Sequence, residues 1–77
     1  MSEGKLPIVR AEELIRAIER LGFSCLRKSK TGHQRFGHPD GRKVTVPVHK
    51  GKTIGRGLLR KILRDLGMSA EELKGLM

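Results

Sequence analysis

The 77-residue sequence predicts an α+β sandwich, with helices on one face of a three-stranded antiparallel sheet and a short extra helix at the C-terminal end. Three observations carry that reading. Apolar residues recur at helical spacing near each end of the chain. Between them runs a stretch of alternating residues broken by glycine-containing turns. No repeat and no linker interrupts the chain, so residues 1–77 form a single domain.

Each element has its own signal. Leu14, Ile15, Ile18 and Leu21 line one side of a helix over about 11–21, with Glu12, Glu13, Arg16, Glu19 and Arg20 on the other, and Gly22 suits its C-terminal cap. Phe23–Lys28 reads as a strand, Lys30-Thr31-Gly32 as a turn and His33–His38 as a second strand. Pro39-Asp40-Gly41 is a hairpin signal. Val44, Val46 and Val48 alternate with Lys43, Thr45 and Pro47, a third strand with one buried face, and Pro47 suits an edge strand or a strand end. A basic, glycine-rich loop from His49 leads to a second apolar stripe, Leu58, Leu59, Ile62, Leu63 and Leu66, closed by Gly67. Ser69 and Glu72 have capping-box spacing and open a last short helix in which Leu73 and Leu76 pack.

Composition narrows the class. No apolar run approaches the roughly 20 residues of a membrane span, and the first residues lack the apolar core of a secretory signal. Cys25 is the only cysteine, so an internal disulfide is excluded, a reducing cytoplasm is expected, and Cys25 reads as a small buried apolar residue. The net charge of +9 is unevenly placed. Arg27, Lys28, Lys30, Arg35, Arg42, Lys43, Lys50, Lys52, Arg56, Arg60, Lys61 and Arg64 fall in one span whose only carboxylate is Asp40. That asymmetry points to a polyanion partner rather than a mixed solubilising shell. Trp and Tyr are absent, and Phe23 and Phe36 are both needed for the core. Base stacking on exposed aromatics is therefore unavailable, and a nucleic acid would be gripped through its backbone with weak sequence preference.

Within the basic span, strand parity gives His33 a direction. If Phe36 faces the helices, Gln34 and His38 share its side, while His33 and Arg35 take the open face with Lys43 and Thr45 of the neighbouring strand. Imidazole transfers protons near neutral pH, and the surrounding cations attract phosphodiesters. His38 reads differently, as a residue shaping the turn before Pro39. The three histidines do not form a zinc site, because their separations match no tight ligand motif and no cysteine or carboxylate cluster supports them.

From about residue 7 to residue 73 the sequence resembles the HicA family of toxin mRNA endonucleases. The resemblance rests on Glu-Arg-Leu-Gly-Phe at 19–23, Gly32-His33, and His38-Pro-Asp-Gly-Arg42. It continues through Val44-Thr-Val-Pro-Val-His49, Gly57-Leu-Leu-Arg-Lys-Ile-Leu-Arg64 and Gly67-Met-Ser-Ala-Glu-Glu72, all in family order. Thr31 stands where the family commonly carries another glycine, and Arg56 and Leu58 flank Gly57 where proline and threonine are common. Arg10 occupies the place of the usual Ser/Thr helix cap. The resemblance implies a double-stranded-RNA-binding-domain-like α-β-β-β-α fold, cleavage of mRNA by one histidine, and neutralisation by a HicB-like antitoxin. Only His33 fits the position of the catalytic histidine.

The expected chemistry needs no cofactor and no metal. RNA supplies its own nucleophile, the 2′-hydroxyl, so the protein has to orient it, move protons and stabilise charge. His33 would act as general base or general acid. Lys28, Lys30, Arg35 and Lys43 would bind the phosphate, Gly32 would allow close approach, and His49 would serve as a second proton carrier or phosphate donor. A non-catalytic basic RNA-binding module is the competing reading, and a protein whose basic face only docks an acidic antitoxin is a third. Direct DNA binding is not expected, since no helix-turn-helix spacing is evident.

Overall fold

A computed structural model describes residues 6–48 and 53–77. The order is α1 (Ala11–Arg20), β1 (Ser24–Lys28), β2 (His33–Gly37), β3 (Lys43–Pro47), α2 (Arg56–Leu66) and α3 (Ala70–Leu76). This is the α-β-β-β-α arrangement with a short last helix that the sequence predicts. The strands form one antiparallel sheet in the order β1-β2-β3.

Both hairpins are built alike. Each has a loop ending in a glycine of positive φ, Gly32 at 92° and Gly41 at 100°, a conformation that only glycine adopts cheaply. In the first, Gly32 N–H donates to Ser29 O (3.2 Å) and Ser29 N–H to His33 O (2.8 Å). In the second, Gly41 N–H donates to His38 O (2.9 Å) and His38 N–H to Arg42 O (2.9 Å). The two loops therefore hold the sheet in register from both ends of β2.

The core lies between sheet and helices. Phe36, Val44 and Val46 from the sheet meet Leu14 and Ile18 of α1 and Leu59, Ile62 and Leu66 of α2, all buried. Phe36 is fully buried while His33 and Arg35 are exposed and Gln34 is half-buried, so β2 has the expected parity. Helix α1 ends as expected, with Gly22 N–H donating to Glu19 O (3.0 Å) and Phe23 N–H to Ile18 O (3.1 Å). Its start differs from a usual cap: arginine has no side-chain acceptor, and only the reciprocal bond is made, from Arg10 N–H to Glu13 Oε1 (2.9 Å). The capping box of α3 is complete, with Ser69 N–H to Glu72 Oε1 (2.8 Å) and Glu72 N–H to Ser69 Oγ (3.1 Å).

Two expectations are corrected. Cys25 is exposed, not buried. It pairs with Phe36 across the ladder, but the helices pack on β3, and β1 is the outer strand with all five residues exposed. Leu58 is 38% exposed and flanks the α2 core stripe rather than joining it.

The segment His38–Arg42 ties the sheet to both helices. His38 Nε2 lies 3.0 Å from the carbonyl oxygen of Leu21, at the end of α1. Arg42 Nη1 donates to the Leu66 carbonyl, at the end of α2. Between them the His38 ring meets Phe23 at 4.9 Å, and the Arg42 guanidinium lies 5.1 Å from the centre of the Phe23 ring. Carbonyls at a helix C-terminus lack intrahelical partners, so this one hairpin satisfies an orphan acceptor on each helix.

Candidate functional site

His33, Arg35, Lys43, Thr45 and Pro47, from the open face, line a groove of about 430 Å³ that runs over the β3 edge and is closed on its other side by Leu58, Lys61 and Asp65 of α2. His33 opens β2 and has Pro47 as its ladder partner. Pro47 has no N–H to give, and the next bond is made by Val48 N–H to Gly32 O (2.7 Å). Gly32 thus serves both loop closure and the β2–β3 ladder beside the histidine. Arg35 is oriented by its neighbour strand, with Nη1 donating to Thr45 Oγ1 at 3.1 Å. The groove gathers cations from β2, β3 and α2 around one imidazole, with Asp65 as its single carboxylate among the described residues.

A second set of contacts runs from the hairpin loop to the histidine. Thr31 Oγ1 lies 3.1 Å from His33 Nδ1, and Ser29 Oγ lies 2.7 Å from Thr31 Oγ1. Ser29 Oγ also accepts the Thr31 and His33 backbone N–H groups, at 3.2 and 3.4 Å. The loop therefore engages one named ring nitrogen of His33 through a hydroxyl.

The residues singled out by sequence do not all converge. His33, Arg35 and Lys43 share the groove. Gly32 stands directly before His33, and Lys30 is exposed on the loop. Lys28 pairs with Gln34, which places it on the Phe36 side of the sheet, whereas Arg27 pairs with Arg35 on the His33 side. The cause is a bulge between Cys25 and Arg27 that leaves Leu26 as an extra residue. Leu26 lies over Gly37 on the open face and is 56% exposed. His49 lies outside the described residues, as do Lys50 and Lys52.

Lys61 and Asp65 join the site without having been assigned to it from the sequence, and Thr31, noted there only where the family commonly carries glycine, meets the His33 ring. Leu58, Lys61 and Asp65 stand at i, i+3 and i+7, one face of a helix, and that spacing is the available signal. Ser29 and Thr31, two residues apart beside a glycine, are the corresponding signal in the loop.

Among the described residues, no group of three or more His, Cys, Asp or Glu side chains could hold a metal ion. No described helix is long and apolar enough to cross a membrane. No curated protein matches the chain significantly. A family model described as the HicA toxin of bacterial toxin–antitoxin systems matches residues 11–68, which includes all three strands, α2 and the His33 groove. The chain belongs to the HicA toxin family.

Proposed function

We propose that this protein is the toxin of a toxin–antitoxin pair and cleaves mRNA as a metal-independent endoribonuclease, with His33 as its proton-transfer residue. The observation that carries the reading is the groove itself: one exposed imidazole in a cleft shared with Arg35, Lys43 and Lys61. A phosphodiester seated among these cations would lie beside an imidazole, a group that can give and take protons.

The reaction needs little from the protein. The 2′-hydroxyl oxygen attacks the adjacent phosphorus, the phosphorus–O5′ bond breaks, and the products are a 2′,3′-cyclic phosphate and a 5′-hydroxyl. His33 removes the 2′-hydroxyl proton or delivers a proton to the departing O5′. The guanidinium of Arg35, held by Thr45, and the ammonium groups of Lys43 and Lys61 stabilise the charge on the phosphoryl oxygens. Arg27 adds positive charge on the same face, next to Arg35. With His33 in one proton-transfer role, water or His49 fills the other, and turnover is slow.

Neutralisation follows from the same surface. A HicB-like antitoxin presenting carboxylates to Arg27, Arg35, Lys43 and Lys61 would cover the groove and compete with RNA for it. The test of this reading is the chemistry of the products. Purified protein in EDTA should leave 2′,3′-cyclic phosphate ends on the upstream RNA fragment, and addition of the antitoxin should stop the cleavage. RNA that is bound but left intact would make the protein a non-catalytic RNA-binding module instead.

A further inference from the structure

We propose that Thr31 is a positioning residue for His33, fixing the imidazole through its Nδ1 so that proton exchange with RNA runs through Nε2. The inference rests on the reading of His33 as the proton-transfer residue and adds a residue to it.

The geometry is a short relay within one hairpin loop. Thr31 Oγ1 meets His33 Nδ1 at 3.1 Å, within hydrogen-bond distance. A surface threonine hydroxyl would ordinarily turn toward water, but this one is held by Ser29 Oγ at 2.7 Å. Ser29 is in turn fixed by the loop backbone, since its Oγ accepts the N–H groups of Thr31 and His33. Threonine is also stiff about χ1 because it is branched at Cβ. The positive φ of Gly32 brings Thr31 and His33 to the same side of the turn, and that turn is locked by Gly32 N–H to Ser29 O.

The hydroxyl pair suits a group that changes protonation. Oriented one way, Thr31 donates to an unprotonated Nδ1. Oriented the other way, it accepts from Nδ1–H and turns its own O–H toward water, since Ser29 Oγ already accepts two N–H groups. The ring keeps a hydrogen bond at Nδ1 in both states, so it need not swing as it takes and returns a proton.

The test compares wild type with Thr31→Val, Thr31→Ser and His33→Ala. It measures single-turnover RNA cleavage, RNA affinity, and the 15N shifts of the His33 ring. Thr31→Val keeps the shape and removes the hydroxyl. It should slow cleavage by about tenfold, the scale of one missing orienting hydrogen bond, with RNA affinity unchanged and the Nδ1 shift displaced. Thr31→Ser should recover most of the rate and the Nδ1 shift. Circular dichroism establishes that each variant is folded, and Ser29→Ala, which removes the anchor of the Thr31 hydroxyl, should also slow cleavage. Cleavage at the wild-type rate by Thr31→Val, with His33→Ala inactive, would overturn the positioning role alone. A loss confined to RNA affinity would make Thr31 an RNA-binding residue and also overturn it. Wild-type cleavage by His33→Ala would overturn the underlying assignment together with this one.

Discussion

His33 and His38 stand on the same short strand and its end, yet their rings meet opposite surroundings. His33 projects onto the open face beside Arg35 and Lys43, with a hydroxyl at Nδ1. His38 turns inward, with Nε2 on the Leu21 carbonyl and Nδ1 against Asp40. In a neutral His38 ring, Nδ1 accepts the Asp40 N–H (3.1 Å); in a protonated ring it donates to Asp40 Oδ1 (3.0 Å). Either state leaves Nε2–H for Leu21, so this histidine is structural. Asp40 gives the residue-scale prediction. The Arg42 backbone N–H, and then its guanidinium, hold the Asp40 carboxyl below its ordinary value. A carboxyl with a lowered folded-state pKa adds stability above its unfolded pKa and loses it as pH falls through the folded value. Asp40→Asn should therefore lower the melting temperature slightly at neutral pH, by a few degrees at most for so exposed a pair, and the difference should begin to shrink near pH 4, about the unfolded value, and disappear as pH falls through the lowered folded one. A difference that persists undiminished in acid would contradict the ion-pair account.

At the scale of elements, the parity of β2 is readable because Phe36 is the one large apolar residue of its strand and has to face the helices. His33 and Arg35 follow from that by alternation. The placement of β1 is not readable, because a bulge adds one residue without leaving a mark in the hydrophobic pattern. That extra residue puts Arg27 rather than Lys28 on the His33 face. Cys25 defies its sequence reading for a related reason: local sequence does not say which strand lies at the uncovered edge. Leu58 illustrates the same limit on a helix, since an apolar residue beside the core stripe can face a groove. The glycine turns, by contrast, are local and legible. Gly41→Ala tests them: φ is 100° and a Cβ there meets nothing within 4 Å, so the penalty is purely conformational. Chemical denaturation should show a loss of about 1–2 kcal/mol. A loss near zero would mean that the loop rearranges freely.

For the whole molecule, charge and the placement of layers act together. The helices bury one face of the sheet, and Arg35 and Lys43 of the other face meet Lys61 of α2 in the groove along β3. Binding through phosphates predicts a steep fall of RNA affinity with salt. Replacing Arg35 or Lys61 by alanine should flatten the salt dependence, by about 0.7 in log–log slope for each phosphate no longer neutralised. Glu71→Gln, on α3 away from the groove, should leave the slope unchanged. Equal slopes for all three variants would move the RNA site off this face. Proton transfer by His33 is open to a direct comparison of two proteins. RNA is incubated in EDTA with excess wild-type protein or with folded His33→Ala, and the rate of strand cleavage is compared. Wild type should cleave slowly and His33→Ala not above background, with RNA affinity retained. Cleavage at a similar rate by both proteins would contradict proton transfer by His33.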